Sequence, residues 1–462
     1  MDKVTKFEQL CLYLRKLNLA CWGLGLFTFY VLTQRWFELY LQSRFLEVFV
    51  SGAALLLILI GQHKLILQRS RITMIDILWF IGITVIMINI LRVGVADYAR
   101  DIFIYSFGFA LIFLAKVDIS AFRLSFMVIK GAAVIYALGS LLQFFFTAGF
   151  NNFLFNFTTT YSQESIIRHI ESNYYPGFGF GRKSVAVGAI SAGLGLIVSF
   201  WDFSRDRLLN YNYLLVIILL AGLLVTGKLS ILVWVLFALL LVYILSGSHW
   251  TIKVRALQGF GLLLGCLLLL IVITQFIGAS SFLARLSDFI GTLMAFEVPE
   301  SVDQRLIQYR DAWAIFLEYP IFGVGWKQFE VLTAGFYPDQ FDVHNLYLQL
   351  LVEMGVVGFF AVITPLAYTY LKTIQAISTK KKVLSSDENL WKKGLTFSFF
   401  FQSLFFLYSM TESILKDINY IMLYFIVIAI TNSYLALNQQ DRFGPGQVQS
   451  QVQGQAGGES YE

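Results

Sequence analysis

The sequence SVDQRLIQYRDAWAIFLEYPIFGVGWKQF, residues 301–329, interrupts a chain that is otherwise strongly apolar. Its apolar side chains recur at three- and four-residue spacing, which is one face of a helix: Leu306, Tyr309, Trp313 and Phe316. Its polar side chains fall on the other side: Gln304, Gln308 and Asp311. Beside membrane spans, such a helix is expected in the interface, with its aromatic face in lipid or against the bundle.

A bend and a second helix follow this segment. Pro320 ends the first helix, and the glycines of PIFGVG permit a tight bend. His344 and Asn345 then lead directly into the apolar run of DVHNLYLQLLVEMGVVGFF, residues 342–360. The sequence therefore places a histidine where a membrane helix begins.

The composition defines the class of protein. Hydrophobic residues make up 58% of the chain, charged residues only 14%, and the mean hydropathy is +0.70, which is far outside the range of soluble domains. We predict an all-α, polytopic membrane bundle over residues 1–437, with about twelve transmembrane helices and a helical extracytoplasmic cap. The predicted spans are 18–33, 46–61, 74–91, 102–115, 124–148, 184–201, 212–226, 229–245, 257–277, 345–371, 394–411 and 420–437.

The distribution of Lys and Arg predicts the topology. With the amino terminus inside, the inner segments collect more of these residues than the outer segments, although the outer segments are longer in total. Both termini are therefore expected in the cytoplasm, and the loops at about 149–183 and 278–344 outside. Residues 438–462 are rich in Gln and Gly, which predicts a disordered cytoplasmic tail.

Cations gather at three places on the predicted outer surface. They are Arg182 with Lys183, Lys228 at a tight turn, and Arg305 with Arg310. The three cysteines have no metal-ligand spacing and no nucleotide-binding loop is present, so the sequence favours an anionic substrate anchored in lipid. Arginine suits diphosphate oxygens because its guanidinium binds them in a fork.

His344 is the candidate base, since imidazole is the side chain best suited to take a proton near neutral pH. The helix dipole opposes the cation that this proton transfer creates, so a nearby carboxylate is required, Asp342 or Asp339. The simpler interpretation is that His344 is a polar residue at a membrane boundary and Asn345 a helix cap.

Polar side chains continue into the following helix at four-residue spacing: Asn345, Gln349 and Glu353. They either line a polar cavity or hydrogen-bond to neighbouring helices, and a carboxylate two turns inside a span favours the cavity. Taken singly, Arg182, Lys183 and Lys228 are more often anchors for lipid phosphates than ligands for a substrate.

The order of these motifs resembles the bacterial O-antigen ligase and polysaccharide polymerase family. The resemblance covers QRLIQYRDAWAIFLEYPIFGVGWKQF followed by VHNLYLQLLVEMGVVGFF, about residues 301–360, and the TESIL run at 411–415 is similar to a weaker family feature. The family usually has an arginine where this chain has Lys228, so the charge is kept but the bidentate geometry is lost.

The resemblance implies an activity, a fold and a location. These proteins are integral-membrane glycosyltransferases of the all-helical C type in the bacterial cytoplasmic membrane, and they use a glycan on undecaprenyl diphosphate. By resemblance, Arg305 holds the diphosphate with Arg310, Lys228, Arg182 and Lys183, and His344 activates the acceptor hydroxyl, supported by Asn345, Asp342 and Glu353. No metal, cofactor or nucleic acid is implied, transfer proceeds with inversion, and the partners are the donor, the acceptor, the bilayer and other polysaccharide-assembly proteins.

Three alternatives stay open at this point. Within the family, a polymerase uses a second carrier-bound glycan as acceptor, whereas a ligase uses lipid A core or a protein; we predict a polymerase. A flippase or other transporter for lipid-linked oligosaccharides would place its coupling charges near the bilayer midplane. A structural scaffold would tolerate the loss of His344.

Overall fold

The fold consists of helices, and the computed structural model describes residues 18–40, 45–69, 72–157, 179–180, 183–199, 211–246, 253–254, 256–261, 265, 291, 300–334, 343–378, 388–415 and 417–442. The helices are α1 Leu19–Tyr40, α2 Phe45–Arg69, α3 Met74–Val93, α4 Val95–Leu114, α5 Arg123–Phe145, α6 Thr147–Phe157, α7 Lys183–Ser199, α8 Tyr211–Val225, α9 Leu229–Ser246, α10 Glu300–Glu318, α11 Gln328–Thr333, α12 Leu346–Ser378, α13 Glu388–Tyr408 and α14 Ile418–Arg442. A 3₁₀ turn, Ile119–Phe122, precedes α5. No strand occurs in these ranges.

The helices agree with the predicted spans wherever the structure describes them. Four helical segments are long and apolar enough to cross a membrane: Met74–Val93, Ile119–Phe145, Leu346–Ser378 and Ile418–Asn438. Shorter apolar helices cover five of the other described runs, and helices α4 and α13 lie over the runs at 102–115 and 394–411. The run at 257–277 lies mostly outside the described residues. The chain is therefore a helical membrane protein, whereas the number of twelve spans and the extracytoplasmic position of 278–344 stay predictions.

Helix α14 forms the centre of the bundle, and polar contacts fix it at one end. The Asp76 carboxylate at the start of α3 accepts hydrogen bonds from Lys116 Nζ at 2.6 Å and from Asn432 Nδ2 of α14 at 2.8 Å. The Asn432 amide also bonds to the carbonyl of Ile112 in α4. Because water is scarce inside such a bundle, these satisfied polar groups join α3, α4 and α14 in one arrangement.

Helix α12 breaks at Gly355, whose φ of 64° and ψ of −170° lie far from the helical region. The break frees backbone groups on both sides, and the loop at 320–325 satisfies them through four hydrogen bonds of 2.8–3.2 Å: Val356 N–H to the Pro320 carbonyl, Val357 N–H to Ile321, Val324 N–H to Val352, and Gly325 N–H to Glu353. The predicted glycine bend is confirmed, with positive φ at Gly323 and Gly325. We call this pairing of loop and broken helix the interlock.

Two charged residues of α3 and α4 hold the interlock from the side. Arg92 donates to the carbonyls of Phe322 and Gly323. Asp101 accepts from the indole N–H of Trp326 and from Lys327 Nζ, each at 2.8 Å. The loop that follows α10 is thus bonded to three helices, so α10 has a defined position relative to α12.

The interlock predicts that Gly355→Ala destabilises the protein. Alanine disfavours this backbone conformation by on the order of 1–3 kcal/mol, and its Cβ would lie 2.2 Å from the Ile321 carbonyl oxygen. We expect a clearly lower thermal midpoint for the detergent-purified protein. The control is Gly131→Ala inside α5, where a Cβ meets nothing within 4 Å and alanine is preferred. Equal midpoints for the two variants would contradict the interlock.

Candidate functional site

His344 lies two residues before the start of α12, in the left-handed backbone region with φ of 53°. Asn345 caps the helix, since its Oδ1 accepts the N–H of Leu348 at 3.1 Å. The Asn345 amide also donates to the carbonyl of Met410, and the N–H of Leu346 donates to the carbonyl of Ser409 at 2.9 Å. These bonds attach the start of α12 to the turn after α13, so the histidine is placed against that turn.

The carboxylate beside His344 is Glu412, which lies in the turn between α13 and α14. His344 Nδ1 is 3.2 Å from Glu412 Oε2, and Lys228 Nζ is 3.3 Å from Glu412 Oε1. Lys228 also donates to the hydroxyl of Tyr408 at 2.5 Å. One carboxylate therefore uses each of its oxygens for a different basic side chain.

The electrostatic environment keeps Glu412 ionised. Burial by itself would raise the pKa of Glu412, but the charge of Lys228, the hydrogen bond and charge of His344, and the charge of Arg305 lower it to about 2. An ionised carboxylate can only accept, so Nδ1 of His344 carries the hydrogen. In the neutral imidazole, this leaves the lone pair on Nε2.

Arg305 reaches the same cluster from α10. Its charge acts on Glu412 and on Tyr309, which lies one helical turn further along α10 on the same face. The Tyr309 hydroxyl donates to the carbonyl of His344 at 3.1 Å. Burial raises the pKa of Tyr309, and the charge of Arg305 and a hydrogen bond with Asn345 oppose that shift. The charges of Lys228, Arg305 and His344 thus act on one carboxylate, although the three residues come from separate segments of the chain.

The predicted apolar face of α10 is divided between two environments. Phe316 is buried and Tyr309 is partly buried against the start of α12, as one predicted alternative required. Leu306 and Trp313 are instead about half exposed, and Gln308, predicted on the polar side, is fully buried. The prediction of one apolar face is therefore wrong in detail, because the face that packs on α12 is rotated from the face expected from periodicity.

Arg310 does not lie with the other cations. It is five residues after Arg305, a rotation of about 140° around the helix, and its side chain is 78% exposed beside Asp311. Its predicted part in binding the diphosphate stays a prediction, and its side chain lies on a different side of α10 from Arg305.

The remaining predicted site residues are elsewhere or outside the described residues. Glu353 is buried beside the interlock, where Gln349 donates to its Oε1 at 3.0 Å, so this pair is bonded within α12. Lys183 begins α7, and its side chain lies outside the described part. The same holds for the whole of three other residues: Arg182, Asp339 and Asp342.

Three side chains of the site were not identified from the sequence: Tyr309 in its bonding role, Tyr408 and Glu412. A carboxylate near His344 was required, but the nearest acidic residues along the chain were chosen. Glu412 is 68 residues away, and its only sequence signal was the resemblance of TESIL to a weak family feature. In the described residues, no group of three or more His, Cys, Asp or Glu could hold a metal ion.

The low pKa of Glu412 predicts how acid affects stability. The pKa of Glu412 in the folded protein is below its usual value, so the ionised carboxylate stabilises the folded state. This contribution is present above about pH 4.5 and is lost as the pH falls through about 2. Its upper limit is roughly 3 kcal/mol. The wild type should therefore have a higher thermal midpoint than Glu412→Gln, which cannot titrate at this position, at neutral pH, and should lose this difference in acid. Thermal midpoints against pH measure this, with Glu318→Gln on exposed α10 as control; an advantage unchanged down to pH 2 would contradict the ion pair.

A family model matches the part of the chain that contains three basic residues of the site. The family model described as O-antigen ligase matches residues 214–363, which contain Lys228, Arg305 and His344, whereas Glu412 lies beyond the match. No curated protein matches the chain. This match confirms the resemblance inferred from the motifs, and residues 214–363 are similar to the O-antigen ligase family.

Proposed function

We propose that this protein is a metal-independent, inverting glycosyltransferase that moves an oligosaccharide from undecaprenyl diphosphate to an acceptor hydroxyl. The proposed location is the outer face of the bacterial cytoplasmic membrane. The family supports transfer of the ligase or polymerase type from a lipid-linked donor. The observation that carries the proposal is the pairing of His344 Nδ1 with an ionised Glu412, because it prepares Nε2 to accept a proton.

The donor diphosphate is held by Arg305 and Lys228 in this proposal. Lys228 pairs with Glu412 and the charge of Arg305 also acts on it, so these two permanent cations leave a net positive charge even with Glu412 ionised. Pairing of cations with the diphosphate stabilises it as a leaving group without a metal ion. Arg182 and Lys183 stay candidates from the sequence, and we leave Arg310 out because its side chain points away from the cluster.

In the proposed step, His344 takes the proton of the acceptor hydroxyl while its oxygen attacks the anomeric carbon. The bond from that carbon to the diphosphate breaks, and undecaprenyl diphosphate leaves with the electron pair. Glu412 stabilises the imidazolium that forms, as a carboxylate does for a histidine base in other enzymes. The imidazolium then returns its proton to the solvent or to the leaving diphosphate.

The acceptor is proposed to be a second carrier-bound glycan, which makes the protein a polymerase. The test is incubation of the purified protein in detergent with the carrier-linked donor alone. Longer carrier-linked glycans are expected. Products that appear only after lipid A core is added would indicate a ligase. A glycan that stays unchanged both with and without lipid A core would favour a transporter, since detergent provides no second compartment.

The proposed dyad predicts a large loss of turnover in Glu412→Gln. Glutamine keeps the size but removes the charge that stabilises the imidazolium and selects its tautomer, so turnover should fall on the order of 10²- to 10⁴-fold, with little change in donor affinity. His344→Gln should lose at least as much, because its amide cannot take a proton. Near-normal turnover in either variant would exclude base catalysis by this pair.

The double variant Glu412→Gln with His344→Gln is the control for independent effects. Residues that act as a unit are not additive, so the double variant should lose little more than His344→Gln alone. Thermal midpoints of all three variants verify that the loss is not caused by unfolding.

Arg305→Lys separates donor binding from the other effects of charge. Lysine keeps the charge but loses the fork, so donor affinity and turnover should both fall strongly. The matched control is Arg310→Lys on the same helix, which should bind donor as the wild type does. An equal loss in the two variants would restore Arg310 to the donor site.

A further inference from the structure

Helix α10 has an apolar surface that does not face the site. Four side chains, each 36–61% exposed, form a stripe along the helix: Val302, Leu306, Trp313 and Leu317. Their spacing of four, seven and four residues keeps them within about 60° of rotation. The face that packs on α12 is different and is formed by Gln308, Ala312 and Phe316. The stripe is therefore a second apolar face of α10.

The stripe continues into the surface of the membrane-spanning helix α12. Leu317 is followed by Ile321 and Phe322, each 59% exposed. The carbonyl of Ile321 accepts the N–H of Val357, so the loop lies directly on α12 at this level. The exposed side chains of α12 at the same level are also apolar: Val356, Val357 and Phe360. Because α12 is a candidate span, its exposed apolar side faces lipid.

Most of the charged side chains of α10 lie outside the stripe and outside the packed face. Asp303, Asp311 and Glu318 lie about 40–120° beyond the stripe, on the side away from α12. Arg310 lies at the edge of the stripe, four residues after Leu306 and seven before Leu317. A helix with a packed face, an apolar face and an acidic face has the pattern of a helix held at a lipid–water boundary.

We propose that α10 docks on the lipid bilayer itself, with the stripe inserted at the boundary of headgroups and acyl chains. The stripe is continuous with the lipid-facing side of α12, and this continuity identifies lipid as the partner that covers the stripe. Arg310 extends from the edge of the stripe to the lipid phosphates, as basic side chains do at membrane interfaces. This assigns Arg310 a membrane contact in place of the donor contact expected from the sequence.

The docking has a consequence for the site that rests on the proposed function. Arg305 lies on the packed side of α10, and its charge acts on Glu412. A helix embedded at headgroup depth presents this guanidinium at the depth where the diphosphate of a lipid-linked donor lies. The donor can then reach Arg305 by diffusion within the membrane plane.

The test places a fluorophore on each side of α10 in nanodiscs. Leu306→Cys and Trp313→Cys, in a background in which Cys11, Cys21 and Cys266 are replaced, are labelled with an environment-sensitive dye. The nanodisc lipids carry quenchers on their acyl chains. Strong quenching and blue-shifted emission are expected at both positions, with weak quenching at the matched controls Asp303→Cys and Glu318→Cys. Equal quenching at all four positions would overturn the proposal, as would disulfide crosslinking of Leu306→Cys between two copies.

A second measurement isolates Arg310. In nanodiscs that contain anionic lipid, Arg310→Gln should reduce the quenching at Leu306→Cys, whereas in purely zwitterionic nanodiscs the effect should be smaller. Unchanged quenching with anionic lipid would remove Arg310 from the docking surface. Both measurements need no glycan substrate, so their outcome is independent of the proposed transferase activity.

Discussion

The break in α12 at Gly355 is the constraint on which the arrangement of the site depends. Backbone groups freed inside a membrane bundle need partners, because hydrocarbon offers none. The loop at 320–325 provides these partners and belongs to the segment that follows α10. The pairing of this loop with the break therefore positions both Arg305 and His344. It acts on Arg305 through α10 and on His344 through the first part of α12.

Glu412 organises the charges at that site. Lys228, His344 and Arg305 all act on its carboxylate, and together they outweigh its burial. A cluster of cations without it would repel itself and would leave the imidazole tautomer unspecified. With it, the cluster is held together and still has the positive charge that the proposed anionic donor requires. The same residue thus serves the packing of the turn and the proposed chemistry.

Helix α10 connects the site with its surroundings through distinct faces. The packed face carries Arg305 and Tyr309, and the outward stripe carries Leu306 and Trp313. Sequence periodicity grouped Leu306, Tyr309, Trp313 and Phe316 together, because lipid and protein interior both favour apolar side chains. The direction of the packed face was decided by contacts with Val343 and Val352, which are distant in sequence.

The sequence by itself determined the class of the protein and its local breaks. Apolar runs longer than the bilayer core predict spans, Pro320 and the glycines after it predict the bend, and Asn345 predicts the start of α12, since these effects act within a few residues. The position of Gly355 opposite that bend, the pairing of His344 with Glu412, and the outward turn of Arg310 were decided only by the tertiary structure. Contacts between residues 68 or 180 positions apart, as for His344 with Glu412 and Lys228 with Tyr408, have no periodic sign in one sequence. They depend on which helices pack side by side.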